Sequence, residues 1–158
     1  MARVLKFRMW GICEDSPYDA ENDSYIPVMI PADNLAFDEY APLSVLLKDS
    51  DTQKFMQYTG LKDACGKEIY EGDILSDKDL GPESYGALCG LVFWEEAAAR
   101  FSVQWYWPNM DRISCPPVSL QSQAHRKYVV GNFFEHHILL EEWSKNYEDD
   151  VHFPPFHG

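Results

Sequence analysis

The run MQYTGLKDACGKEIYEGDIL, from Met56 to Leu75, limits what this chain can fold into more than any other. Phe55, Gln57 and Thr59 alternate with Met56 and Tyr58, and aromatic and β-branched residues suit a pleated surface. Gly60 punctuates the run. Leu61 to Lys67 is polar and ends in Cys65-Gly66-Lys67, a turn in which Gly66 is free to take a positive φ. Glu68, Ile69 and Tyr70 lead to Glu71-Gly72-Asp73, where a glycine between two carboxylates predicts a tight bend or bulge feeding Ile74-Leu75. The order is strand, turn, short extended piece, tight bend, strand. Glu68, Glu71 and Asp73 read as solvated turn carboxylates, with Asp73 placed to accept backbone N–H groups. Acid–base work or a hard cation would call for a histidine or a second acidic motif at fixed spacing, and neither accompanies them.

Downstream, Gly86 to Trp94 is nearly continuously apolar. Phe101, Val103, Trp105 and Trp107 then alternate with Ser102, Gln104 and Tyr106 in strict period two. Residues 86–107 therefore predict a β-hairpin with a five- or six-residue connection. Ile69–Leu75 and Tyr128–Val130, closed by Gly131-Asn132, add further strands. Four or five short strands within about 65 residues fit a small barrel.

Upstream, Val4 to Trp10 reads as a strand and Cys13 to Ser24 as an acidic, turn-rich loop. Tyr25 to Ile30 reads as a short strand that Pro27 confines to an edge. Leu43, Leu46 and Leu47 have helical spacing behind Pro42, which predicts a short helix or turn within Leu35–Lys48. Glu135 to Asn146 predicts a helix, with Ile138, Leu139 and Trp143 as its apolar stripe. Tyr147 onward has no periodicity and reads as a flexible tail.

Composition narrows the function. Aromatics make up 15% of the 158 residues, which suits sheets and recognition surfaces. A net charge of −13 argues against general nucleic-acid binding, which needs a basic face. It leaves room for a local basic patch at Arg3, Lys6 and Arg8 or at Arg126-Lys127, and for an acidic surface that imitates DNA. No window approaches the roughly 18 apolar residues of a membrane span, and the start does not read as a signal peptide, so the expectation is a cytoplasmic protein. Cys13, Cys65, Cys89 and Cys115 are scattered without a CxxC pair and read as free thiols rather than zinc ligands. His136-His137 and His125 are the only histidine concentration, and adjacent histidines point apart. No nucleophile elbow or phosphate-binding glycine loop is present. No catalytic residue, cofactor or metal is expected.

The Met56–Leu75 run resembles the signature of the YopX family of phage and prophage proteins. Lys6-Phe7-Arg8-Met9-Trp10 is similar to that family's opening strand. Val129-Val130-Gly131-Asn132-Phe133-Phe134-Glu135 is similar to its closing strand and Gly-Asn turn. The resemblance implies a mainly β, phage-derived protein with an SH3-like barrel in its C-terminal half; the residues themselves add a smaller N-terminal β region before it and a short C-terminal helix. It brings no catalytic residues. The expected organisation is an N-terminal β region over 1–60, the barrel over 61–146 and the tail over 147–158.

The recognition candidates are Trp105, Tyr106 and Trp107, with Tyr58 and Tyr70, because Trp and Tyr are efficient interface anchors. The first functional expectation is an interaction module that binds a host or phage protein, or its own copies. The second is a nucleic-acid binder or acidic decoy. The third is an enzyme built on Glu68, Glu71 and Asp73 near Tyr58 and Tyr70.

Overall fold

The computed structural model describes residues 5–13, 15–31, 53–77, 89–106 and 116–136. The chain is mainly β and divides into two compact units, Met1–Tyr58 and Thr59–Gly158. The short helix or turn expected within Leu35–Lys48, all but the first two residues of the helix expected over Glu135–Asn146, the tail, Cys115 and Trp107 lie outside the described residues.

In the first unit, β1 (Phe7–Gly11) lies between β4 (Val28–Ile30) and the first part of β5 (Gln53–Lys62), antiparallel to both; β5 continues into the second unit from Thr59. The alternation of apolar residues explains the register: Met9 stands opposite both Ile30 and Phe55, and the three side chains form this unit's buried cluster. Pro27 precedes β4, which takes the edge position that a residue lacking an N–H tolerates. The segment Cys13–Ser24, expected to be a loop, instead contains all but the last residue of a small hairpin. There β2 (Tyr18–Asp19) pairs antiparallel with β3 (Ser24–Tyr25). The expected strand Tyr25–Ile30 is thus divided between two sheets.

The second unit carries β6 (Glu68–Tyr70), β7 (Asp73–Ser76), β8 (Cys89–Glu95), β9 (Arg100–Tyr106), β10 (Val118–Ser119) and β11 (Tyr128–Asn132). Five of them form a curled antiparallel sheet in the order β10-β9-β8-β7-β11. β8 and β9 form the expected hairpin, with Cys89 opposite Tyr106 and Glu95 opposite Arg100. Its connection is four residues, Glu96 to Ala99, rather than five or six. A 3-10 turn over Glu96–Ala98 ends on Ala99 at φ +50° and tightens it.

Apolar side chains bury on both faces of this sheet. Ile69, Leu75, Val92, Val103, Leu120 and Ala124 form one cluster, with Phe101 and Trp105 packed against it. Ile74, Cys89, Leu91 and Val130 form another, with Tyr106, Tyr128 and Phe133 against it. Burial on both faces explains why β8 reads as a continuous apolar run rather than an alternating one. One element was not foreseen. A helical turn, α1 (Leu120–Gln123), continues into a 3-10 turn at Ala124–Arg126. Leu120 and Ala124, one turn apart, put its apolar side into the first cluster.

Candidate functional site

The Met56–Leu75 run turns out to be a device for shaping turns. Asp63, only 7% exposed, is its centre. Its Oδ1 accepts the N–H groups of Cys65 and Lys67, both at 2.9 Å, and its Oδ2 accepts Val129 N–H at 3.0 Å. One carboxylate therefore closes the β5–β6 turn and ties it to β11. Asp63 N–H donates to Lys67 O at 2.8 Å and Ala64 N–H to Lys127 O at 2.9 Å, completing the junction. Thr59 Oγ1 donates to Ile69 O at 2.7 Å.

The second bend is equally occupied. Asp73 Oδ2 accepts Tyr70 N–H at 2.8 Å across Glu71-Gly72, and Gly72 sits at φ +80°, where a Cβ is unfavourable. Gly72 N–H donates to Val92 O and Phe133 N–H donates to Gly72 O, so neighbouring segments depend on this bend. Glu71 and Asp73 are each 1% exposed. They are not the solvated carboxylates that the sequence suggested, although Asp73 accepts a backbone N–H as expected. Glu68 is half-buried, and its Oε2 accepts the Tyr70 hydroxyl at 3.0 Å.

The recognition candidates fall in different surroundings. Tyr58 and Tyr70 are each 8% exposed. Lys6 Nζ stands 5.5 Å from the Tyr58 ring centre. Trp105 and Tyr106 are half-buried and point to opposite faces of β9, each packed on a different cluster. The Trp105 ring lies over Gly90, its cross-strand partner, and Lys127 Nζ lies 4.9 Å from its centre. The structure thus brings none of these rings into a shared exposed surface among the described residues.

The exposed apolar side chains lie elsewhere. Among the described residues the large ones are Leu5, Ile12, Tyr18, Tyr25 and Ile26, all in the first unit. Tyr18 and Tyr25 face each other across β2 and β3, edge to face, with ring centres 5.3 Å apart. They remain 52% and 53% exposed, and Ile26 follows at 46%. Ile26 N–H donates to Pro17 O at 2.7 Å and extends the pairing.

Asp19 shapes the hairpin tip by accepting Glu21 N–H at 2.9 Å and the Asn22 amide at 2.7 Å. The Asn22 amide, followed by Glu21 N–H, holds the Asp19 carboxyl below its usual range. Asp23 takes a positive φ of 51° and accepts the Tyr18 hydroxyl, a bond that raises the phenol's pKa. The signal missed in the sequence was the pair of tyrosines flanking a turn rich in Asp and Asn.

Among the described residues, no group of three or more His, Cys, Asp or Glu side chains is arranged to hold a metal ion. Cys13, Cys65 and Cys89 are free thiols, and burial pushes the Cys89 pKa up to about 11. A low-pKa nucleophile would need the opposite environment. No helix among the described residues is long and apolar enough to cross a membrane.

Burial likewise pushes the Tyr106 phenol from 10.0 to about 12. The unfolded chain then loses this proton first, so stability should fall as pH rises from about 10 to about 12. An ultraviolet tyrosinate titration should lose its latest phenol in Tyr106→Phe. An unchanged titration in that variant would put the buried phenol elsewhere.

Fold and site together define a small two-unit β protein whose most distinctive polar residues hold turns in place. The YopX protein family model matches residues 6–141, and the chain belongs to that family. No match was found among the curated proteins. Among solved structures the chain is similar to protein EF1440 from Enterococcus faecalis, at 22% identity. That similarity covers 88% of this chain and 99% of the other, with a TM-score of 0.45.

Proposed function

We propose that this protein is a non-catalytic interaction module that docks a partner protein through the β2–β3 hairpin. The observation that carries the proposal is the Tyr18–Tyr25 pair, each ring more than half exposed in a chain whose other described tyrosines and tryptophans are at least half-buried. Aromatic rings left in water are efficient anchors once a partner covers them. Trp105 and Tyr106, on opposite faces of β9, are retained as two separate and lesser contact points, each through the part that its cluster leaves open.

The second unit is proposed to be an SH3-like barrel. Its support is the strand order: β7 lies between β8 and β11, and a 3-10 turn leads into the last strand. We assign the protein to a phage or prophage and to the bacterial cytoplasm, and retain 1–60, 61–146 and 147–158 as its proposed divisions.

Affinity capture from host lysate, with and without nuclease, tests the docking proposal. Tyr18→Ala with Tyr25→Ala should abolish a stoichiometric complex while the thermal unfolding midpoint stays within about 2 °C, because surface substitutions seldom cost much. Retention of the complex by this variant would sink the proposal. The net charge of −13 favours one second reading, an acidic decoy that occupies a DNA-binding protein. That decoy would compete with duplex DNA for its target, and a captured partner that binds DNA and this protein simultaneously would eliminate it.

A further inference from the structure

We infer that the occupant of the Tyr18–Tyr25 surface is an arginine-rich segment of a partner protein; this deepens the docking proposal and rests on it. Charge is the deciding observation. Between Arg8 and Lys48 the sequence has no Lys or Arg and eight Asp or Glu. Within the described part, exposed Asp15, Glu21 and Asp23 and half-buried Asp19 lie in the same short segment as the two rings. Asp19 spends its acceptors on the tip, and Asp23 takes the Tyr18 hydroxyl. The Asp23 bond fixes one carboxylate at the Tyr18 ring and the Asp19 bonds fix another at the tip, without cancelling their charge. An aromatic face among fixed negative charges suits a cation that is planar, weakly hydrated and able to stack, and guanidinium meets all three conditions better than ammonium.

The same charge disfavours the other occupants. A second copy placed symmetrically would bring acidic hairpin against acidic hairpin, a like-charge contact. Phosphates of nucleic acid would meet the same repulsion. The bulk charge of −13 attracts any basic peptide, so the test must isolate the rings.

The full-length chain is titrated with labelled Arg-Ser, Lys-Ser and Glu-Ser repeat peptides at low and high salt. The Arg-Ser peptide should bind and weaken with added salt, as screened attraction requires. Tyr18→Ala with Tyr25→Ala should weaken it about tenfold, the size expected for two exposed ring–cation contacts. Tyr18→Phe with Tyr25→Phe keeps the rings and should retain most of the affinity, and the Lys-Ser peptide should bind less tightly than Arg-Ser. No Arg-Ser binding, or equal binding by the alanine variant, would overturn the inference. If the alanine variant also loses the cellular partner, that failure leaves the docking proposal standing. If it keeps the partner, both fall.

Discussion

Asp63→Ala should clearly destabilise the second unit. It removes the acceptor for Cys65, Lys67 and Val129 N–H groups at a site only 7% exposed. The three bonds are part-buried, and Cys65 and Lys67 are exposed enough for water to replace the carboxylate, so a loss of about 1–3 kcal/mol is expected. That is a large share of the roughly 5–15 kcal/mol by which a folded domain exceeds its unfolded state. The damage should also spread, because the lost bonds join the β5–β6 turn to β11. Asp63→Asn should cost less: one oxygen survives to serve part of the turn, while its NH₂ cannot replace the second acceptor. Urea denaturation measures both. An alanine variant within about 0.5 kcal/mol of the wild type, the range of an ordinary surface change, would mean the carboxylate is not the keystone.

Gly90→Val should rank beside it for a steric reason. A Cβ at Gly90 would come within 2.4 Å of Val103 Cγ1 and 2.8 Å of Trp105 Cε3. Real Cβ atoms do not approach that closely, so the indole or the β8–β9 pairing must move. Neither movement is cheap. Val103 is fully buried, and Trp105 is packed against the larger cluster beneath Lys127. Overpacking of this kind costs about 1–3 kcal/mol, and valine's second branch should take it to the upper end. A lower unfolding midpoint with a red-shifted tryptophan emission is expected. An unchanged midpoint and spectrum would show that the indole does not cover Gly90.

These two positions illustrate what the sequence made legible. Strict alternation in Phe101–Trp107 and the apolar run before it specified a hairpin, because period two admits one pleated arrangement. Glycine between carboxylates marked the Gly72 bend for the same local reason. Burial of Glu71 and Asp73 was not legible, since short-range patterns do not say which turns lie beneath other segments. The Asp63 bond to Val129 spans 66 residues, and no local pattern encodes it.

The β2–β3 hairpin was hidden by its brevity. Two-residue strands leave no periodicity, and an acidic turn-rich segment looks like any loop. Conversely, the tryptophan-rich strand drew attention as a recognition surface because periodicity shows which residues share a face. It does not show that the two faces pack on different clusters, as Trp105 and Tyr106 do. The helical turn at Leu120–Gln123 lacks the length that would have declared it.

The most direct measurement places a photocrosslinking benzoylphenylalanine at Tyr25 in one variant and at exposed Gln121 of the second unit in another. Each variant is illuminated in cells that contain the partner. A single discrete crosslinked species from position 25, absent or weak from position 121, is the result that docking through the hairpin predicts. A species formed only from position 121 would contradict it and move the binding surface to the second unit.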